Sequence, residues 1–73
     1  MLIEIYTRNG CLTCENAKRL LREHNVPFNE YILDQDVSTA KVKEMFPHIQ
    51  MLPVVLVDGK EVNDVASFKM LLE

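Results

Sequence analysis

Pro53-Val54-Val55-Leu56-Val57 is a continuous apolar run, and such a run is buried only as a strand covered on both faces. This demand for two flanking layers constrains the fold more than any other stretch of the chain. Asp58-Gly59 follows at once as the strongest hairpin signal present, so Lys60 to Asn63 is predicted to return antiparallel as a short, charged edge strand. Near the start, Leu2 to Thr7 is rich in β-branched and aromatic residues, with Ile3 and Ile5 on one strand face and Leu2, Glu4 and Tyr6 on the other.

The stretches between supply the covering layers. After the Asn9-Gly10 break, Leu12 to about Asn25 reads as an amphipathic helix. Cys14, Ala17, Leu20 and Leu21 share its apolar face, Lys18, Arg19, Arg22 and Glu23 are solvated, and Asn25 and Pro27 form the stop. Phe28 to Leu33 is a second strand. Asp34 and Asp36 then precede a helix from about Val37 to Phe46, where acidic groups suit the positive helix start. Ser67 to Leu72 closes the chain as a helix. The order is β-α-β-α-β-β-α, an α/β arrangement in which a small sheet carries helices on its faces.

A chain of 73 residues is one domain, 1–73, near the lower size limit for a single apolar core. Its net charge of −3 gives no electrostatic reason to bind nucleic acid, which is held by clustered Lys and Arg. No apolar stretch approaches the roughly 20 residues of a membrane span, and Met1-Leu2 runs straight into structure without a basic and then apolar leader. A cytoplasmic protein with no membrane partner is expected.

The two cysteines, Cys11 and Cys14, fall where the chain passes from the first strand into the start of the first helix. As a structural staple they would close a very short loop and so constrain little of the unfolded chain, and a reducing compartment would open the bond. Two intervening residues also suit a metal, but structural zinc takes four ligands, and the other candidates, His24 and His48, have no matching spacing. Two incidental small core residues are the plainest alternative. At a helix start, however, the first thiol meets free backbone N–H groups and the positive end of the helix dipole, which favour its thiolate, the nucleophile of disulfide exchange. The second lies about one turn on and can resolve the mixed disulfide. Cys11 is therefore the candidate nucleophile and Cys14 the candidate resolving thiol, with no metal.

Other residues carry weaker signals. Arg8 is either a cation that stabilises thiolate or holds a carboxylate, or a solvated surface charge. Met45, Met51 and Met70 read as core gap-fillers and Phe28, Phe46 and Phe68 as core packing, with a ring near the cysteines still open. Asp34 and Asp36 read as helix-start residues rather than a catalytic pair.

Tyr6-x-x-x-x-Cys11-x-x-Cys14, the Met51-Leu52-Pro53 segment about forty residues on, and the element order together resemble the glutaredoxins, members of the thioredoxin-fold superfamily, over the whole chain. The resemblance implies a thioredoxin-like fold with a four-stranded mixed sheet flanked by helices. It also implies thiol-disulfide oxidoreductase activity in a monomer, with glutathione as reductant and no bound cofactor. Expected partners are glutathione and disulfide-containing proteins, ribonucleotide reductase among them. By the same resemblance Pro53 is cis and faces the thiols, and the Leu52 backbone pairs with an extended substrate. Leu12 joins the substrate-binding group, Arg8 and Gln50 fall near the glycyl carboxylate of glutathione, and Asp64 and Ser67 fall near its γ-glutamyl end. The chain departs from the family pattern where Met51-Leu52 replaces Thr-Val and Asn63-Asp64 replaces Gly-Gly. It also lacks the Trp-Ser-Gly-Phe-Arg stretch of NrdH redoxins, which thioredoxin reductase reduces; that branch is the alternative within the enzyme class. An iron-sulfur cluster held by Cys11 is the alternative from another class.

Overall fold

The computed structural model describes residues 2–48 and 52–62. It contains β1 (Ile3–Thr7), α1 (Leu12–Glu23), β2 (Asn29–Ile32), α2 (Thr39–Met45), β3 (Val54–Val57) and β4 (Lys60–Val62). The four strands form one sheet in the order β2-β1-β3-β4. β1 and β2 run parallel, while β3 is antiparallel to both β1 and β4, so the sheet is mixed as expected. The closing helix predicted over Ser67 to Leu72 lies outside the described residues, as do Gln50, Met51, Asn63, Asp64 and Met70.

The apolar run behaves as its composition requires. Val54 and Val55 point to opposite faces of β3 and are only 2% and 4% exposed. On one face Ile3, Ile5 and Val55 pack with Leu21 of α1, and Ala17, Leu20, Val26 and Phe28 close around them. On the other face Tyr6 stacks on Tyr31 (ring centroids 5.1 Å apart) and receives the edge of Phe46, at the end of α2, at 5.5 Å.

Local signals set the element ends. Asp58 and Gly59 both have positive φ, 51° and 84°, the geometry of a two-residue type I′ hairpin turn. Asp58 also ties the chain's start to this turn, since its N–H donates to Leu2 O at 2.8 Å and its Oδ1 accepts from Leu2 N–H at 2.7 Å. At the end of α1, Asn25 takes φ 55°, Asn25 N–H donates to Arg22 O and Val26 N–H to Leu21 O. That pair of bonds is the Schellman motif, with Asn in the left-handed position usually held by Gly.

The structure corrects several boundaries and burials. α2 begins at Thr39, not Val37, because Ser38 Oγ accepts from Lys41 N–H as the N-cap while Val37 forms an isolated parallel bridge with Leu33. Asp34 serves the helix start, whereas Asp36 bonds back to the end of β2. Asp34 accepts from the N–H and hydroxyl of Thr39, and Asp36 accepts from Ile32 N–H. Lys18 is not solvated; it is 9% exposed, because Glu15 and Glu30 each approach its ammonium at 2.9 Å. Met45 is exposed and fills no core gap, since the last turn of α2 presents it to solvent.

Candidate active site

β1 ends where Cys11 N–H donates back to Arg8 O at 3.2 Å, closing a tight turn whose third residue, Gly10, has φ 80°. Only a residue without Cβ adopts that conformation freely. Cys11 then becomes the N-cap of α1 with extended backbone angles, and its Sγ accepts the Cys14 N–H at 3.2 Å. The sulfur thus satisfies a helix-start donor normally served by Ser, Thr, Asn or Asp.

The two thiols differ sharply. Cys11 is partly exposed, whereas Cys14 is 0% exposed beneath the helix start. Burial pushes the Cys11 thiol up, but hydrogen bonds from Cys14 and Thr13 outweigh it and hold the thiol below its ordinary value. Cys14 is pushed up to about 12 by burial first, then by its hydrogen bond to Cys11 and the charge of Cys11; the Arg8 backbone and Lys18 act the other way. An accessible thiol that ionises more readily than usual therefore sits above a buried thiol that holds its proton more tightly than usual. This is the division of labour that two-step disulfide exchange needs.

Thr13 links the thiol to the loop across the cleft. Its Oγ1 lies 3.2 Å from Cys11 Sγ and donates to Leu52 O at 2.9 Å. The Leu52–Pro53 peptide is cis. Beside these groups lies a cleft of about 480 Å³, with Leu33, Val42, Phe46 and Val54 as apolar lining and Arg8 and Lys43 as cations. Arg8 is also held by a long 3.4 Å hydrogen bond to Thr39 Oγ1. Under α1, Glu30 binds Lys18 at 2.9 Å and accepts from the buried Thr7 hydroxyl at 2.7 Å.

Of the residues singled out in the sequence, Arg8, Cys11 and Leu52 line the cleft together, and Cys14 sits directly behind Cys11. Leu12 is 74% exposed and is not among the cleft residues. Gln50, Asp64 and Ser67 lie outside the described residues. Sequence reasoning missed Thr13, Lys43 and the Lys18–Glu30–Thr7 group. The spacing Thr39, Val42, Lys43, Phe46 was the available signal for a helix face turned to the cleft. Among the described residues no three His, Cys, Asp or Glu side chains converge as a metal set. His24 Nδ1 lies 3.0 Å from Leu20 O and His48 Nε2 lies 2.6 Å from Glu61, so both histidines are engaged away from the cysteines.

Comparison with known proteins adds an independent line. The glutaredoxin family model matches residues 3–62. The hybrid peroxiredoxin hyPrx5 of Haemophilus influenzae is 33% identical over 61 residues, 84% of this chain and 25% of that protein. The glutaredoxin-like protein NrdH of Lactococcus lactis subsp. cremoris is 36% identical over 45 residues, 60% of this chain and 62% of that one. This chain thus spans a quarter of the first relative and less than two thirds of the second. The crystal structure of glutaredoxin 1 from Francisella tularensis superposes with a TM-score of 0.72 at 26% identity, covering 93% of this chain and 87% of that one.

Proposed function

This chain belongs to the glutaredoxin family, and on that premise we propose that it is a glutathione-dependent thiol-disulfide oxidoreductase that reduces protein disulfides and glutathione mixed disulfides. The observation that carries the proposal is the pairing of a partly exposed, N-cap Cys11 with a fully buried Cys14 at the edge of the cleft.

The reaction follows from that pairing. Cys11 thiolate attacks one sulfur of a substrate disulfide, forming a mixed disulfide with that half and expelling the other half as thiolate, which takes a proton from water. Cys11 is then a neutral disulfide sulfur, with no charge to oppose a Cys14 thiolate and little power to accept the Cys14 S–H, so both influences by which it raises Cys14 weaken. Cys14 loses its proton more readily and attacks Cys11 Sγ. The Cys11–Cys14 disulfide forms, the bound half leaves as thiolate, and the substrate has gained two electrons. Two glutathione thiolates, acting in sequence, return the dithiol and leave as glutathione disulfide. Glutathione is thus reductant and not a resident cofactor, and the reducing cytoplasm is the setting in which the cycle turns. The cations Arg8 and Lys43 give the cleft a charge that suits the carboxylates of glutathione.

A second reading keeps the chemistry and changes the reductant. Similarity to the lactococcal NrdH supports a redoxin that thioredoxin reductase reduces and that passes electrons to ribonucleotide reductase. Coupled assays separate the two. Wild type, Cys11→Ser and Cys14→Ser are compared in reduction of a glutathione mixed disulfide, with glutathione and glutathione reductase in one series and thioredoxin reductase in the other. The first proposal expects turnover in the glutathione series, loss to background in Cys11→Ser and partial activity in Cys14→Ser. An inactive wild type that thioredoxin reductase does reduce would replace it by the second.

A further inference from the structure

The Thr13 hydroxyl has one hydrogen and two acceptors within reach, on opposite sides of the cleft. Leu52 O is 2.9 Å away, and Cys11 Sγ, 3.2 Å away, can act as donor or acceptor towards it. With Cys11 as a thiol all three groups are satisfied at once. The S–H donates to Thr13 Oγ1, and the Thr13 O–H donates to Leu52 O. With Cys11 as a thiolate the sulfur can only accept. It already receives the Cys14 N–H at 3.2 Å and the Cys14 thiol hydrogen, and the Thr13 hydrogen is the further donor within reach. A hydrogen bond to an ionised acceptor is roughly twice as strong as one to a neutral carbonyl. The bond to Leu52 O lies at the protein surface, so water can replace the lost donor at little cost.

We propose that Thr13 is a positioning residue whose hydroxyl turns from Leu52 O to Cys11 Sγ when Cys11 loses its proton, so that the Leu52 carbonyl becomes free for a substrate main-chain N–H in the state in which the nucleophile is ready. In the thiol state the carbonyl is masked; in the thiolate state it is open. Coupling between two sites is reciprocal, so a peptide that takes the Leu52 carbonyl also favours the thiolate. The inference rests on Cys11 as the attacking thiol, but its test does not use turnover.

Other charged and titratable groups share the cleft or adjoin Cys11. Arg8 comes from the β1–α1 turn and Lys43 from α2, Cys14 lies beneath on the same helix, and Leu52, Pro53 and Val54 contribute no charge. Asp34 lies near Arg8 and tempers it. None of these groups bonds Leu52 O among the described hydrogen bonds, whereas Thr13 does. The part of that carbonyl's response to Cys11 ionisation that is lost with the Thr13 hydroxyl therefore reports Thr13.

Leu52-Pro53 is the one Leu-Pro pair in the sequence, so carbonyl-13C leucine combined with 15N proline singles out the Leu52 carbonyl by NMR. Its shift is followed through a pH titration of reduced wild type, Thr13→Val, Thr13→Ser and Cys11→Ser, with the Cys11 Cβ shift as the direct monitor of Cys11 ionisation. In wild type and Thr13→Ser the Leu52 carbonyl should move with the Cys11 midpoint. In Thr13→Val the Cys11 midpoint should shift upward, one thiolate donor being gone, and the Leu52 response should vanish. Cys11→Ser should also leave Leu52 flat, which ties the response to Cys11; should the valine variant not fold, Thr13→Ala takes its place with the same expectation. A flat Leu52 in wild type, or a Leu52 response that survives in Thr13→Val or Cys11→Ser, would overturn the proposal. Failure of Cys11 as nucleophile would instead appear in the activity assays, with this titration unaffected.

Discussion

At the scale of single residues the site works by unequal treatment of two identical side chains. Cys11 caps a helix through its sulfur, while Cys14, three positions on, is fully buried. Part of the upward push on Cys14 comes from burial and part from Cys11 itself. Cys11→Ser removes the second part and keeps the first. The Cys14 thiol of that variant should therefore titrate below that of wild type, yet above an ordinary thiol. The pH dependence of Cys14 alkylation measures this, and a midpoint unchanged from wild type would show that burial acts alone. Both cysteines were legible in the sequence, because their spacing and the strand-turn-helix setting are local. Thr13 was not. Its hydroxyl matters only because Leu52, 39 positions away, is brought against it, and no local pattern announces that contact.

At the scale of elements, the ends of helices and turns carry the fold's punctuation. Asn25 holds the left-handed position that lets α1 stop and Val26 fold back beside Leu21. Asn25→Gly should be close to neutral in stability, whereas Asn25→Val should cost about 1–2 kcal/mol, because a β-branched residue lacks the short polar side chain that lets Asn tolerate the left-handed conformation. Urea unfolding of the two variants tests this, and equal midpoints would contradict the assignment. Asn25 was readable as a stop, and Asp58-Gly59 as a hairpin, since each needs positive φ and each residue type tolerates it. The start of α2 was read two residues early, at Val37, because acidic residues near a helix start mark the region and not the cap. The Ser38 side chain decides the position.

At the scale of the whole molecule, an ion pair fastens the helix that carries the thiols to the sheet. Lys18 of α1 reaches Glu30 of β2 at 2.9 Å, with Thr7 of β1 bonded to the same carboxylate oxygen. Hydrogen bonds that its ammonium donates to Glu15 and Glu30 raise Lys18 above 10.5. Burial pushes Glu30 up, but the Thr7 hydroxyl and Lys18 outweigh it and hold the carboxyl below 4.5. The Glu30 contribution to stability is therefore present above pH 4.5 and lost as pH falls through its lowered value, while that of Lys18 is present below pH 10.5 and lost as pH rises through its raised value. Lys18→Met should cost roughly 1.5–3 kcal/mol at neutral pH, the range for a hydrogen bond to a charged group. It should also flatten the acid limb of a stability-against-pH curve, and an unchanged limb would contradict the pairing. A lysine on a helix face otherwise rich in Arg and Glu gives no sequence sign of burial, because its partner lies on a strand twelve positions on. With the helix so anchored, the central claim is that Cys11 attacks and Cys14 resolves, and release of thione from excess 4,4′-dithiodipyridine at neutral pH tests it most directly. Wild type should release two equivalents in succession, Cys14→Ser one rapid equivalent, and Cys11→Ser almost none on the same timescale. Equal rates of release from the two single variants would contradict the account.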